Sequence, residues 1–237
     1  HKRDGKRFCF QNPFSFDITE IDGFDDLHHP SGILRDAMDR AASVYGSEKS
    51  YFLVNGSSGG ILAAVFACVR RGGKLLTARN CHKSVYHGIF LRGLRPVYLC
   101  PPPVSGWGTA GAVPPSAVEA ALSAEPDIEA VLITSPTYEG ICSDIKEIAR
   151  ICHERKIPLL VDGAHGAHLA YRGEDSAFPP SALEQGADLV IESLHKTLPS
   201  LTQTAVPHKR SGLIREDVLE WYLQVYQSSS PSYVLMA

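Results

Sequence analysis

Lys196 lies in Ser193-Leu194-His195-Lys196-Thr197, directly after the apolar run Leu189-Val190-Ile191. An amine at the end of an apolar strand, beside an imidazole and hydroxyls, can form a Schiff base once its proton is shed. The ordinary alternative is a solvated surface lysine. Asp162 closes a second apolar run, Leu159-Leu160-Val161. A carboxylate emerging from a buried strand needs a partner. That partner is a metal with His165 and His168 beside it, a protonated ring nitrogen on a cofactor, or the N–H groups of the following turn. Gly56-Ser57-Ser58-Gly59-Gly60 offers hydroxyls and backbone N–H groups at the entry to a helix, as either a phosphate cradle or a plain connection. It lacks the G-K-[ST] ending of a mononucleotide loop and the G-x-G-x-x-G spacing of a dinucleotide one. His82 follows Arg79-Asn80-Cys81 at a strand–helix junction, where an imidazole can stack on a flat ligand or serve structure alone.

A phosphate cradle, a Schiff-base lysine, a carboxylate for a ring nitrogen and a stacking imidazole together describe pyridoxal phosphate. A second group of polar residues, Asp17, Glu20, Asp22, Asp25 and Asp26 with His28 and His29, has no spacing typical of zinc ligands. It is expected to be a solvated loop, and no metal is expected.

The elements that must position these residues are read from short apolar runs alternating with longer helical stretches. Strands are expected at 50–55, 74–78, 96–100, 130–134, 158–162, 189–192 and 204–208. Helices are expected at 32–45 with Ser31 as N-cap, 60–71, 83–92, 116–123, 144–156 and 215–227. Most of the strands are continuous apolar runs, as when helices cover both faces of a parallel sheet. The fold class is therefore α/β. The five polar segments, including Ser135-Pro136-Thr137-Tyr138, all come directly after strands, and ligands of such sheets bind at the strands' carboxyl ends.

Composition excludes several classes. The 237 residues carry 23 Lys+Arg against 26 Asp+Glu, so there is no electrostatic case for binding nucleic acid or an anionic membrane. With 44% apolar and 21% charged residues, the chain is neither disordered nor fibrous. Its longest apolar run, Ile61 to Val69, is about half the roughly 18 residues that would span a bilayer. Cys9, Cys68, Cys81, Cys100, Cys142 and Cys152 form no C-x-x-C pair, consistent with reduced thiols and a cytoplasmic location.

In its segments Asp17–Pro30, Phe52–Gly60, Arg79–Ser84, Ser135–Gly140, Val161–His165 and Ser193–Lys196, taken in order, the chain resembles the large domain of the Orn/Lys/Arg decarboxylases. The variants are most similar to the shorter Gram-positive-type arginine or lysine enzymes. The resemblance implies the fold type I, aspartate-aminotransferase-like architecture: a mostly parallel seven-stranded sheet with helices on both faces. It divides the chain into an N-terminal segment (1–30), a pyridoxal-phosphate-binding large domain (31–212) and a helix (213–237) leading toward a C-terminal domain beyond the chain. The opening residues would fall inside the family's Gly-His-Lys motif.

By the same resemblance, Lys196 carries the cofactor, Asp162 holds its ring nitrogen protonated and His82 stacks on the ring. Ser57, Ser58, Gly59 and Ser193 hold the phosphate, His165 lines the cofactor edge and His195 sits beside the reacting bond. The implied reaction is decarboxylation of arginine, lysine or ornithine to the amine, in a homodimer with a shared active site. Alternatives are another fold type I enzyme (an aminotransferase, desulfurase or lyase) or a non-catalytic homologue. Pro207, in what would be an internal antiparallel strand, is expected to force a bulge or a local loss of pairing.

Overall fold

The computed structural model describes residues 19–173 and 177–230. Asp17 lies outside them, as does Cys9. Seven strands form one sheet: β1 (Lys49–Ser50), β2 (Lys74–Ala78), β3 (Arg95–Leu99), β4 (Ile128–Thr134), β5 (Leu159–Asp162), β6 (Leu189–Ser193) and β7 (Ala205–Lys209). Their spatial order is β1-β7-β6-β5-β4-β2-β3. The pairs from β3 across to β6 are parallel, and β7 runs antiparallel to both β6 and β1. The helices are α1 (Ile33–Tyr45), α2 (Gly56–Cys68), α3 (Lys83–Arg92), α4 (Pro115–Ala124), α5 (Ile145–Glu154), α6 (Leu194–Thr197) and α7 (Glu216–Tyr226).

The apolar strands are buried on both sides. Leu75, Leu132, Leu160 and Ile191 face Ile61 and Val65 of α2, Val85 of α3, and Leu219 and Leu223 of α7. On the opposite face Leu76, Val131, Ile133, Val161 and Val190 pack with Val118 and Leu122 of α4 and Ile148 and Ile151 of α5. Helix α2 is covered twice, by the sheet and by α7, whose Tyr222 and Tyr226 meet Phe66 edge-on. That double cover accounts for the unbroken apolar run from Ile61 to Val69.

Four local expectations need correction. Helix α2 begins at Gly56, not Gly60, so Gly56-Ser57-Ser58-Gly59 form its first turn rather than a preceding loop. The turn fits because two residues lack side chains. A Cβ on Gly59 would lie 2.6 Å from the Asn55 amide group, and one on Gly60 would lie 2.8 Å from Leu53 Cδ1 and 3.0 Å from Ile191 Cγ2.

The first strand is two residues long instead of six, and the cause is Pro207. Residues 205, 207 and 209 of β7 turn their backbone polar groups toward β1, so the missing N–H of Pro207 faces that side. Tyr51 still donates to the Pro207 carbonyl at 3.0 Å, but regular pairing stops there and resumes only as a bridge between Leu53 and Ala205. The β6–β7 ladder continues without a bulge, with Ile191 opposite Pro207.

Ser31 does not cap α1, and the acidic stretch is not simply solvated. The Asp25 carboxylate accepts the N–H groups of Asp26, Ser31, Gly32 and Leu34 at 2.9–3.0 Å. Burial raises its pKa, but these four bonds outweigh burial and hold the carboxyl below its ordinary range. The resulting stabilisation is present at neutral pH and is lost as pH falls through the depressed value. Asp25→Ala is expected to cost about 1–2 kcal/mol, the upper range for a lost N-terminal cap, measured by chemical denaturation at pH 7. A variant as stable as the wild type would remove Asp25 from the capping role.

Candidate active site

All five polar segments converge along the carboxyl edge of the sheet, as the parallel topology requires. The Ser193 hydroxyl, at the end of β6, donates to Ser57 Oγ at 2.8 Å, joining that strand to the first turn of α2. This turn carries backbone N–H groups with no intrahelical acceptor and the positive end of a 13-residue helix dipole. Ser58 is exposed on the same turn. Two hydroxyls and the N–H groups around Gly59 thus form an anion cradle.

Asp162 ends β5 and is 3% exposed. Among the described residues it accepts one hydrogen bond, from the Ala164 N–H to Oδ1 at 3.2 Å. Burial drives its carboxyl pKa upward; the Ala164 bond and the charges of His82 and Lys196 oppose this without cancelling it. A buried carboxylate with so little compensation can take a cationic group as its partner, and a protonated ring nitrogen is of that kind.

His82 caps α3. Its Nδ1 accepts from the Ser84 N–H at 3.3 Å and lies 2.9 Å from Ser84 Oγ, which places the ring proton on Nε2. Burial lowers its pKa, Lys196, Lys83 and His87 add to the effect, and Asp162 opposes it. The ring is therefore neutral at pH 7, the state suited to lying flat on an electron-poor aromatic ring.

Lys196 stands exposed on α6, and its Nζ donates to His165 Nε2 at 3.1 Å. Burial and then the Lys196 charge lower the pKa of His165, keeping its imidazole a neutral acceptor; Glu139 acts the other way. Tyr138 meets the His165 ring edge-on at 5.5 Å. His195 Nδ1 donates to the Thr204 carbonyl at 3.0 Å, a bond shared with the Leu194 N–H at 3.1 Å.

The structure thus joins Ser57 to Ser193 and Lys196 to His165, and sets Asp162 and His82 in their electrostatic field. His168 does not join them: it packs edge-on against Phe178. Among the described residues no group of three or more His, Cys, Asp or Glu could hold a metal ion. Sequence reasoning did not find the Thr204 carbonyl that orients His195, because a backbone acceptor from the following strand has no residue-type signal. It placed Tyr138 at the ligand-binding edge within Ser135–Tyr138 without giving it a role and gave Glu139 none, although both lie just past β4.

The cradle, the buried acid and the lysine match what a phosphorylated pyridine aldehyde requires. A family model described as Orn/Lys/Arg decarboxylase, major domain, matches residues 3–237. The chain belongs to this family. It is 45% identical to the uncharacterized protein YaaO of Bacillus subtilis, over 99% of this chain and 48% of that protein. It is 37% identical to an arginine decarboxylase of Halalkalibacterium halodurans, over 98% of this chain and 47% of the relative. Among solved structures, lysine decarboxylase A of Pseudomonas aeruginosa superposes with a TM-score of 0.82 at 25% identity, over 99% of this chain and 34% of that one. The architecture is that of fold type I pyridoxal-phosphate enzymes. The chain spans about half the length of the curated relatives it matches.

Proposed function

We propose that this chain is the cofactor-binding part of a pyridoxal-phosphate-dependent decarboxylase of a basic amino acid: arginine, lysine or ornithine. The observation that carries this reading is the placement of Lys196, held by His165, on the same sheet edge as a buried, under-compensated Asp162 and the hydroxyl-lined start of α2. Decarboxylase names among the relatives support it.

Each residue then has a task of its own. Ser57, Ser58, Ser193 and the backbone at Gly59 bind the phosphate. Asp162 keeps the ring nitrogen protonated, and His82 stacks on the ring as a neutral imidazole. Bound there, pyridoxal phosphate supplies an electron sink for the charge left when CO₂ departs. His165 accepts a hydrogen bond from Lys196 Nζ and so orients the amine at the sheet edge. With Nδ1–H committed to Thr204, His195 keeps Nε2 for proton exchange with the substrate, beside the released Lys196 amine. Residues 31–212 form most of the cofactor domain, and α7 packs back onto α2 as part of the same core. A second copy of the chain completes the site, in a cytoplasmic homodimer. No helix among the described residues is long and apolar enough to cross a membrane.

The test is product analysis with each basic amino acid in the presence of pyridoxal phosphate. Release of CO₂ and the matching amine, with no dependence on a keto acid, is expected. Amino transfer to a keto acid would instead make the protein an aminotransferase. Ser57→Ala should weaken binding of pyridoxal phosphate about 10-fold or more, the effect of losing one charge-assisted hydrogen bond, because Ser57 accepts from Ser193 and keeps its own proton for the phosphate. Spectroscopic titration measures this, and an unchanged affinity would remove Ser57 from the cradle.

A further inference from the structure

The segment after β4 makes a tight turn, Thr137-Tyr138-Glu139-Gly140. Gly140 N–H donates to the Thr137 carbonyl at 3.0 Å, and Thr137 N–H donates to the Ile141 carbonyl at 2.9 Å. Ile141 N–H also donates to Thr137 Oγ1 at 3.2 Å, and Gly140 takes the positive φ of 88° that the turn requires. The root of the turn is anchored, since Thr137 is buried, while Tyr138 is 83% exposed and Glu139 is exposed at the tip.

This tip stands beside the reactive lysine. The Tyr138 ring meets His165 edge-on, and His165 holds the Lys196 amine. The Asp162 charge acts on His82 and Lys196, and the Glu139 charge acts on His165. Asp162 is buried and committed to the ring nitrogen. Glu139 forms no ion pair among the described residues, whereas Glu125, Glu129, Glu147, Glu154 and Glu184 each hold a Lys or Arg.

We infer that Glu139 is a specificity-determining residue that binds the distal cation of a basic amino acid, with the Tyr138 ring lining the aliphatic stem. The inference rests on the proposed decarboxylase function. A flexible ammonium or guanidinium finds in Glu139 an anionic partner not already neutralised, and the aromatic face beside it accepts both methylenes and cations. A neutral side chain of the same length gains nothing from the carboxylate, so the charge discriminates between substrates rather than binding them uniformly.

The experiment compares the whole natural gene product with its Glu139→Gln variant, both loaded with pyridoxal phosphate. Each is assayed on arginine against citrulline and on lysine against norleucine, which differ in distal charge at similar length. E139Q is expected to raise KM for the charged member about 10- to 100-fold, to leave the neutral member within about 3-fold, and to spare cofactor affinity. Calorimetry of the loaded proteins with the amine product should show the same loss, independently of turnover. Equal effects on charged and neutral substrates, or a shift in pH profile alone, would mean that Glu139 acts through His165 and would overturn the assignment. A wild type active on basic amino acids beside an unchanged E139Q would overturn Glu139 alone. A wild type that loads the cofactor on Lys196 but releases no CO₂ from any basic amino acid would overturn the functional proposal, and the assignment of Glu139 with it.

Discussion

Lys196→Ala is expected to abolish decarboxylation, by at least about 10³-fold, while leaving the fold intact. The magnitude comes from removing the nucleophile of a covalent catalyst, whose work the remaining residues do not replace. The intact fold comes from position: Lys196 is exposed, and among the described residues its one hydrogen bond is to His165. An exposed substitution of this kind typically changes stability by no more than about 0.5 kcal/mol. The decisive measurement is borohydride reduction after treatment with pyridoxal phosphate, with peptide mapping of the product. The wild type should carry one pyridoxyl label, on Lys196, and the variant none. Lys196→Arg should behave like Ala, because a guanidinium retains the charge but remains protonated. A label confined to a single other lysine in both proteins would refute the assignment and shift the site elsewhere. Label scattered over surface lysines in the wild type would mean that the pocket is not formed in the protein tested.

The legibility of this site in the sequence has a physical basis. Apolar runs such as Leu159–Val161 and Leu189–Ile191 declare buried parallel strands, and residues at the C-terminal end of a parallel strand must lie at the sheet's carboxyl edge. Chain order alone therefore brings Asp162, Lys196, His82 and the Gly/Ser turn together. The features that stayed hidden depended on the third dimension. Asp25 reads as one carboxylate in a solvated acidic stretch, and only the path of the chain turns it onto the N–H groups of Ser31, Gly32 and Leu34. The start of α2 was misplaced because glycines weigh against helix by propensity. Here they are needed where the helix presses on Asn55, Leu53 and Ile191. Pro207 signalled a disturbed ladder, but not which neighbour would lose pairing; that depends on which way its backbone faces.

Asp162→Asn is expected to separate stability from function. In the wild type, burial raises the Asp162 carboxyl, so the native state binds its proton more tightly than the unfolded chain does. The sign of linkage is then fixed. Stability of the cofactor-free protein falls as pH rises from the ordinary carboxylate range through the raised folded value, and the penalty persists above it. Asparagine keeps the shape and can still accept from the Ala164 N–H, but it carries no charge to desolvate. Cofactor-free D162N should therefore be at least as stable as the wild type at pH 8, by on the order of 1 kcal/mol, and the gap should close on acidification. Denaturant titrations at pH 5 and pH 8 measure this, and a D162N that is less stable at pH 8 would mean that the carboxylate already has adequate partners. Turnover should move the opposite way, falling about 10²–10³-fold, the scale of removing one preorganised electrostatic group. The ring nitrogen would then have no anion to hold its proton while negative charge develops at the substrate. A group that weakens the cofactor-free protein yet is needed for turnover is what a site selected for ligand chemistry rather than for stability contains, and a purely structural Asp162 would show neither effect.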